Sequence, residues 1–335
     1  MNEAGGTGWR RFVSGPARSW LTFTGKALVT AVLLYLVLRA VDPQQVWARV
    51  EALSALFMVP LLAVLIAQTL VTTARWRLVM AGLDVALGFA KAWLLLMIGL
   101  FFNQSLPSTI GGDVVRIWRV HCEGHGLGKS ANVVLVDRVM AVVGLLILVV
   151  PAIPVLNAMA RTPGQSAVVW ALTGAVAVTV VAVVVLFAVP GLPGLFDRWR
   201  LSRPIGALTM DARRLIASRG RALIIIAIAV AVHALSALAV YVLALGFHIE
   251  VAFLDCLLLV PAVILVMALP VSIAGWGLRE GAMVTGFALA GVSPADALVL
   301  SVGFGLATAA VGLPGGVLWL VTGQSRPRGV SMPAS

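Results

Sequence analysis

Two stretches of this chain place an arginine and a carboxylate just beyond a proline-glycine break in otherwise apolar sequence. The first runs from Asn103 to Arg116 (NQSLPSTIGGDVVR) and the second from Pro270 to Glu280 (PVSIAGWGLRE). Pro107 and Pro270 each remove a backbone donor and obstruct the helix before them. Gly111, Gly112, Gly275 and Gly277 permit tight turns and close backbone approach. A helix that restarts after such a turn aims free amides and its positive dipole end at the gap, which favours a phosphate or carboxylate. Arg116 and Arg279 lie four residues past Gly112 and Gly275, about one turn into the restarting helix, where a guanidinium can hold a lipid phosphate through two parallel hydrogen bonds.

Asp113 and Glu280 are placed to pair with these arginines when no substrate is bound, and Asp137-Arg138, at the start of the next apolar run, is placed to complete the first site. The competing reading of all six charges is a set of structural ion pairs or side chains reaching to the interface. Asn103, Ser105, Ser108, Thr109 and Ser272 put hydrogen-bonding groups around the breaks, where they can satisfy freed backbone groups. Trp276 suits an acyl chain or the membrane interface equally. His121-Cys122-Glu123-Gly124-His125 has metal-ligand residue types, but its glycine breaks the helix and no further ligand set accompanies it, so no metal is expected. His233 reads as a packing residue inside a span. The sequence contains no Walker A, GxSxG or HExxH pattern, and no catalytic residue or cofactor is assigned.

The elements that must position these residues are membrane helices. Of 335 residues, 61% are hydrophobic and 11% charged, against about 25% charged in soluble domains. Six stretches are long and apolar enough to cross the roughly 30 Å hydrocarbon layer: about 26 to 41, 54 to 74, 131 to 150, 166 to 189, 222 to 247 and 295 to 320. Two more, about 91 to 105 and 252 to 269, run into the breaks. The net charge of +11 is spread over loops between spans, where it records insertion topology, and nucleic acid is not expected as a partner. Cys122 and Cys256 stand alone and imply no disulfide framework.

Basic residues gather before the first span, around Arg75, Arg77 and Lys91, around Arg116, Arg119 and Lys129, from Arg198 to Arg221, and at Arg326 and Arg328. The positive-inside rule then puts both termini and the 190 to 221 loop in the cytoplasm, with Arg75-Trp76-Arg77 marking the cytoplasmic end of the second span. The same rule makes the first interrupted segment enter and leave from inside and the second from outside. The breaks themselves match as LPx[ST]I[GA]GxxxR, each following two spans and preceding one. The expected fold is therefore an all-α polytopic membrane protein of six full spans plus two re-entrant or broken-helix hairpins in an inverted repeat. The expected organisation is a cytoplasmic tail at 1–25, a transmembrane domain at 26–320 with halves at about 26–150 and 166–320, and a cytoplasmic tail at 321–335.

On NQSLPSTIGGDVVR, Asp137-Arg138, PVSIAGWGLRE and Arg75-Trp76, the chain resembles the lysylphosphatidylglycerol synthase transmembrane-region family, often labelled flippase-like, over about residues 26 to 320. In bifunctional members this region is associated with moving aminoacylated phosphatidylglycerol between leaflets, and a soluble transferase domain makes that lipid. The present chain ends at Ser335 without such a domain, so the resemblance implies no lipid aminoacylation. It implies lipid handling in the bacterial cytoplasmic (inner) membrane. The expected function is a lipid translocase whose polar headgroup is held at the two hairpins. The alternatives are an intramembrane lipid-modifying enzyme, or a non-catalytic partner of an enzyme of lipid synthesis, such as one making hopanoid or polyprenyl-linked glycolipid. The expected ligand is a membrane lipid, and a homo-oligomer is compatible with the sequence.

Overall fold

The computed structural model describes residues 55–105, 111–188, 202–268 and 277–322, with Tyr35 and Gln44 in addition. Among the described residues the regular structure is helical throughout. Five helices are long and apolar enough to cross a membrane: α1 (Met58–Gly82), α4 (Leu127–Met159), α5 (Pro163–Ala188), α7 (Arg219–Gly246) and α10 (Pro294–Thr322). They carry five of the six expected spans. The sixth, at 26 to 41, lies outside the described residues apart from Tyr35. At 1.5 Å per residue the 33 residues of α4 reach about 50 Å, well beyond the hydrocarbon layer.

The two interrupted segments each form a pair of short helices. The first pair is α2 (Phe89–Ser105) with α3 (Gly111–Cys122), and the second is α8 (Phe253–Met267) with α9 (Leu278–Phe287). Contacts in the first pair run antiparallel, Asn103 meeting Gly112 and Gly99 meeting Arg116, and in the second Val263 meets Gly286. The segments between them, which contain Pro107, Ser108, Thr109, Pro270, Ser272, Gly275 and Trp276, lie outside the described residues.

Packing follows from which faces are apolar and small. The α1 and α7 helices lie along one another, and α10 lies along α2, so closely that a Cβ on Gly315 would sit 2.0 Å from the Met97 carbonyl oxygen. The larger core gathers Leu61, Leu156, Val240, Leu259, Phe287 and Leu300, and a second gathers Trp76, Met80, Leu95, Val133 and Leu215. The α5 helix leaves Trp170, Val178 and Val181 exposed, as a helix bathed in lipid does.

One helix departs from expectation. Within the basic 190 to 221 stretch, read from sequence as a loop, α6 (Ser202–Ala217) forms. It buries Gly206, Thr209, Ala212 and Leu215 at three-residue intervals while Met210 and Arg214 stay exposed. This is the pattern of an amphipathic helix. It packs across α4, α7, α5 and α1.

Candidate functional site

Helices α1, α3 and α4 bring three arginines and two aspartates into one network, buried except for the half-exposed Arg138 side chain. Asp137, at the end of the first third of α4, is 1% exposed. It accepts the Nε–H of Arg75 at 3.0 Å on one oxygen and Arg116 Nη2 at 3.1 Å on the other. Asp113, in the first turn of α3, accepts Arg116 Nη1 at 3.3 Å. It also accepts a two-pronged pair from Arg138, Nε at 2.8 Å and Nη2 at 2.9 Å. Each oxygen of both carboxylates is thus occupied. The Arg116 guanidinium also stacks over the Trp76 ring at 4.0 Å, a contact worth about 0.5 to 2 kcal/mol.

Small residues make this approach possible. A Cβ on Gly112 would stand 2.0 Å from the Gly99 carbonyl oxygen, and one on Gly99 would stand 2.8 Å from Arg116 Cγ. Only glycine fits at Gly112, so α3 can press against α2 and carry Arg116 inward. The amide of Gly112, free because it opens the helix, donates to Asn103 Oδ1 at 2.9 Å.

Beside the network lies a cavity of about 240 Å³, lined by Gln68, Thr72, Arg75, Asn103, Arg116 and Thr308 among others. Arg75 and Arg116 both line it, and one guanidinium nitrogen of each, Arg75 Nη1 and Arg116 Nε, is buried without a hydrogen-bond partner. The α1 side of the cavity is a polar stripe, Gln68, Thr72 and Arg75 at helical spacing, inside an apolar span. Phe304, Thr308 and Val311 of α10 close the opposite side.

The second pair builds a different object. Arg279 donates Nη2 to Glu280 Oε1 at 2.7 Å, and its Nε lies 3.2 Å from Ser301 Oγ. Ser301 in turn donates to Glu280 Oε1 at 3.2 Å. The other Glu280 oxygen caps the amide of Gly277 at 2.6 Å, and Gly277 holds φ at +81°, a conformation that suits glycine. Glu280 is fully buried, and the Arg279 guanidinium fills the space over Gly305. Neither residue lines the cavity beside Arg116.

A profile of the lysylphosphatidylglycerol synthase TM region matches residues 23–316. The chain belongs to that family. The match spans both ion clusters and every cavity residue named above, so in this family member the buried charge lies within the shared region. A search of curated proteins found no match. Membership makes the chain a multi-pass membrane protein with a lipid-related role.

Of the residues picked out from sequence, Asn103, Gly111, Gly112, Asp113, Arg116, Asp137 and Arg138 come together at one place, and Arg279 and Glu280 at another. Arg75 and Trp76 were read as the end of a span and as part of the family pattern, not as site residues, although both sit in the centre of the first network. Gln68, Thr72, Ser301 and Thr308 were not singled out at all; the spacing of Gln68, Thr72 and Arg75 on one helix face is the pattern that finds the first two. His121 Nδ1 lies 2.7 Å from the His125 carbonyl oxygen within its own turn.

Proposed function

We propose that this protein moves a polar-headgroup lipid between the leaflets of the bacterial cytoplasmic membrane, with the headgroup passing through the cavity beside Arg75 and Arg116 while the tails remain in the bilayer. The observation that carries the reading is a polar cavity lined by two buried arginines, each of which keeps a guanidinium nitrogen without a hydrogen-bond partner. Ionisable groups at membrane depth are costly and usually functional, and these are not all consumed by their neighbours.

The location supports it too. One wall of the cavity comes from α1 to α4 and the other from α10, so it lies between the two halves expected from the LPx[ST]I[GA]GxxxR repeat. In transporters with inverted repeats the substrate site lies at such an interface, and rocking of one half against the other exposes it alternately. With α2–α3 dipping from inside, α8–α9 from outside and both termini cytoplasmic, α10 is the shared element. It touches the cavity through Thr308 and the second ion cluster through Ser301 and Gly305. The Arg279–Glu280 cluster then serves as the internal tie of its hairpin, and the headgroup engages the Arg116 side.

The test is leaflet exchange in proteoliposomes. Purified protein is reconstituted with a lipid fluorescent at its headgroup, and a membrane-impermeant quencher is added. Faster loss of the protected fluorescence than in empty vesicles supports the reading. Loss indistinguishable from empty vesicles, across several headgroups, overturns it.

A further inference from the structure

We propose that α6 is an interfacial helix that rests on anionic phospholipids of the leaflet at its end of the bundle. This surface lies outside the cavity, and its role is independent of whether the protein moves lipid.

The neighbours of α6 fix its level. It lies where α1 ends and where α4 and α7 begin: the Leu215 side chain packs on Gly82, where a Cβ would stand 2.5 Å from it, and Asp211 accepts the side-chain amide of Asn132 at 2.7 Å. The same end of the bundle carries Arg77, Lys91 and Lys129, all exposed, and is the one that the positive-inside reading assigns to the cytoplasm. A helix laid across the ends of membrane spans sits at the depth of lipid headgroups.

What α6 turns outward differs from a face made for water. The outer face of an amphipathic helix in a soluble protein is polar and charged. Here the exposed stripe is Ala207, Met210, Arg214 and Ala217 at helical spacing, with Met210 70% exposed. The one acid of the helix, Asp211, is half-buried and held by Asn132. An exposed methionine next to an arginine, with no carboxylate of the helix beside them, suits the boundary between acyl chains and phosphates.

Charge complementarity selects the occupant. From 197 to 221 the sequence carries seven arginines against two aspartates, a surplus of five positive charges. Arg219 and Arg221, both exposed, open α7 directly after α6, and among the described residues no carboxylate pairs with either. Arg214 does pair with Asp84, at 3.0 Å, but both side chains are more than half exposed. Such a pair is weak, and a guanidinium takes a phosphate in place of a carboxylate with the same forked geometry. An anionic leaflet attracts a cluster of this kind, and a zwitterionic leaflet, which has no net charge, does not.

The experiment places a nitroxide on α6 and changes the lipid. Cys122 and Cys256 are buried, so Met210→Cys is labelled in the otherwise native full-length chain, with the unsubstituted protein as the labelling control. The protein is held in nanodiscs of phosphatidylcholine, with or without phosphatidylglycerol. Collisions with oxygen report hydrocarbon, and collisions with a neutral nickel chelate report water. Val178→Cys on α5, a side chain 70% exposed within a span, supplies the hydrocarbon reference.

With phosphatidylglycerol at low salt the Met210→Cys label is expected to lose access to nickel and gain access to oxygen. High salt, which screens exposed charge, is expected to return it to the values seen in phosphatidylcholine. Arg214→Gln, Arg219→Gln and Arg221→Gln together are expected to abolish the dependence on lipid; if that variant fails to fold, the salt series on the parent charges decides. A label equally open to nickel in both lipids overturns the proposal, and is the outcome for a face that serves an acidic protein instead. A label equally shielded in both and indifferent to salt also overturns it, since apolar contact alone then holds the helix. No arm depends on leaflet exchange, so failure here leaves the cavity reading standing.

Discussion

Arg75 donates its Nε–H to Asp137 at 3.0 Å across 62 residues of sequence, and both side chains are at least nine-tenths buried. That bond ties α1 to α4 at the edge of the cavity and, through the second Asp137 oxygen, holds Arg116 in place. Removing one partner of a buried pair leaves the other charge uncompensated, at a cost of about 3 to 5 kcal/mol. Asp137→Asn is therefore expected to lower the unfolding midpoint of the purified protein sharply, because it strands two guanidinium groups. Arg75→Gln combined with Asp137→Asn, which removes one charge of each sign, is expected to recover part of the loss. Thermal unfolding in detergent reads both, and an Asp137→Asn midpoint equal to that of the parent would remove the network from the account of stability.

Gly112 permits the close approach of α3 to α2, and Gly128 in α4 is an open counterpart against which to test it. A Cβ at Gly112 would collide with the Gly99 carbonyl, whereas nothing lies within 4 Å of one at Gly128. Gly112→Ala is expected to cost about 1 to 3 kcal/mol through forced backbone movement, while Gly128→Ala in the first turn of α4 is expected to be neutral or to gain up to about 1 kcal/mol. Denaturation curves for the two variants side by side check the difference in sign.

The fold was legible where periodicity and length suffice. Five apolar runs became α1, α4, α5, α7 and α10, because twenty or so apolar residues with no internal charge cluster have few other stable forms in lipid. Two features were hidden for a shared reason, that a charged residue near the end of a span is ordinarily read as an insertion marker. By that rule Arg75 became a boundary, although its partners lie far away in sequence at Asp137, and α6 became a loop, although Thr209, Ala212 and Leu215 recur on one face. The arginine and carboxylate of each motif were found by spacing alone. That the two motifs differ, Arg116 open to a cavity and Arg279 closed on Glu280 and Ser301, depends on what α10 presents to each and leaves no trace in the motifs themselves.

Gly305 is the α10 side of that difference. A Cβ there would fall 2.3 Å from the Arg279 guanidinium nitrogens, so Gly305→Ala is expected to expel the guanidinium and break its bonds to Glu280 and Ser301. Its loss of stability should approach that of Glu280→Gln, at about 3 to 5 kcal/mol. Ser301→Ala, which removes only a hydroxyl from the cluster, should cost about 1 kcal/mol. Unfolding midpoints that rank Ser301→Ala as the most damaging of the three would contradict the description of this cluster as an ion pair assisted by a hydroxyl.

Asn103 caps the free amide of Gly112. Asn103→Ala is expected to cost about 0.5 to 2 kcal/mol, and Asn103→Asp, which keeps the acceptor, should retain most of the stability. Hydrogen exchange at the Gly112 amide gives the direct readout, with faster exchange in the alanine variant and protection kept in the aspartate one.

The central claim is that a lipid headgroup passes through the cavity lined by Thr72, Arg75, Arg116 and Thr308. Blocking that space reversibly tests it most directly. In a background where Cys122 and Cys256, both buried, are replaced by alanine, Thr72→Cys is labelled with a bulky methanethiosulfonate reagent, and leaflet exchange is measured before labelling, after it, and after reduction. The account predicts exchange before labelling, its loss once the cavity is filled, and its return when the reagent is released. Exchange that proceeds at the same rate with the label fully in place would contradict it.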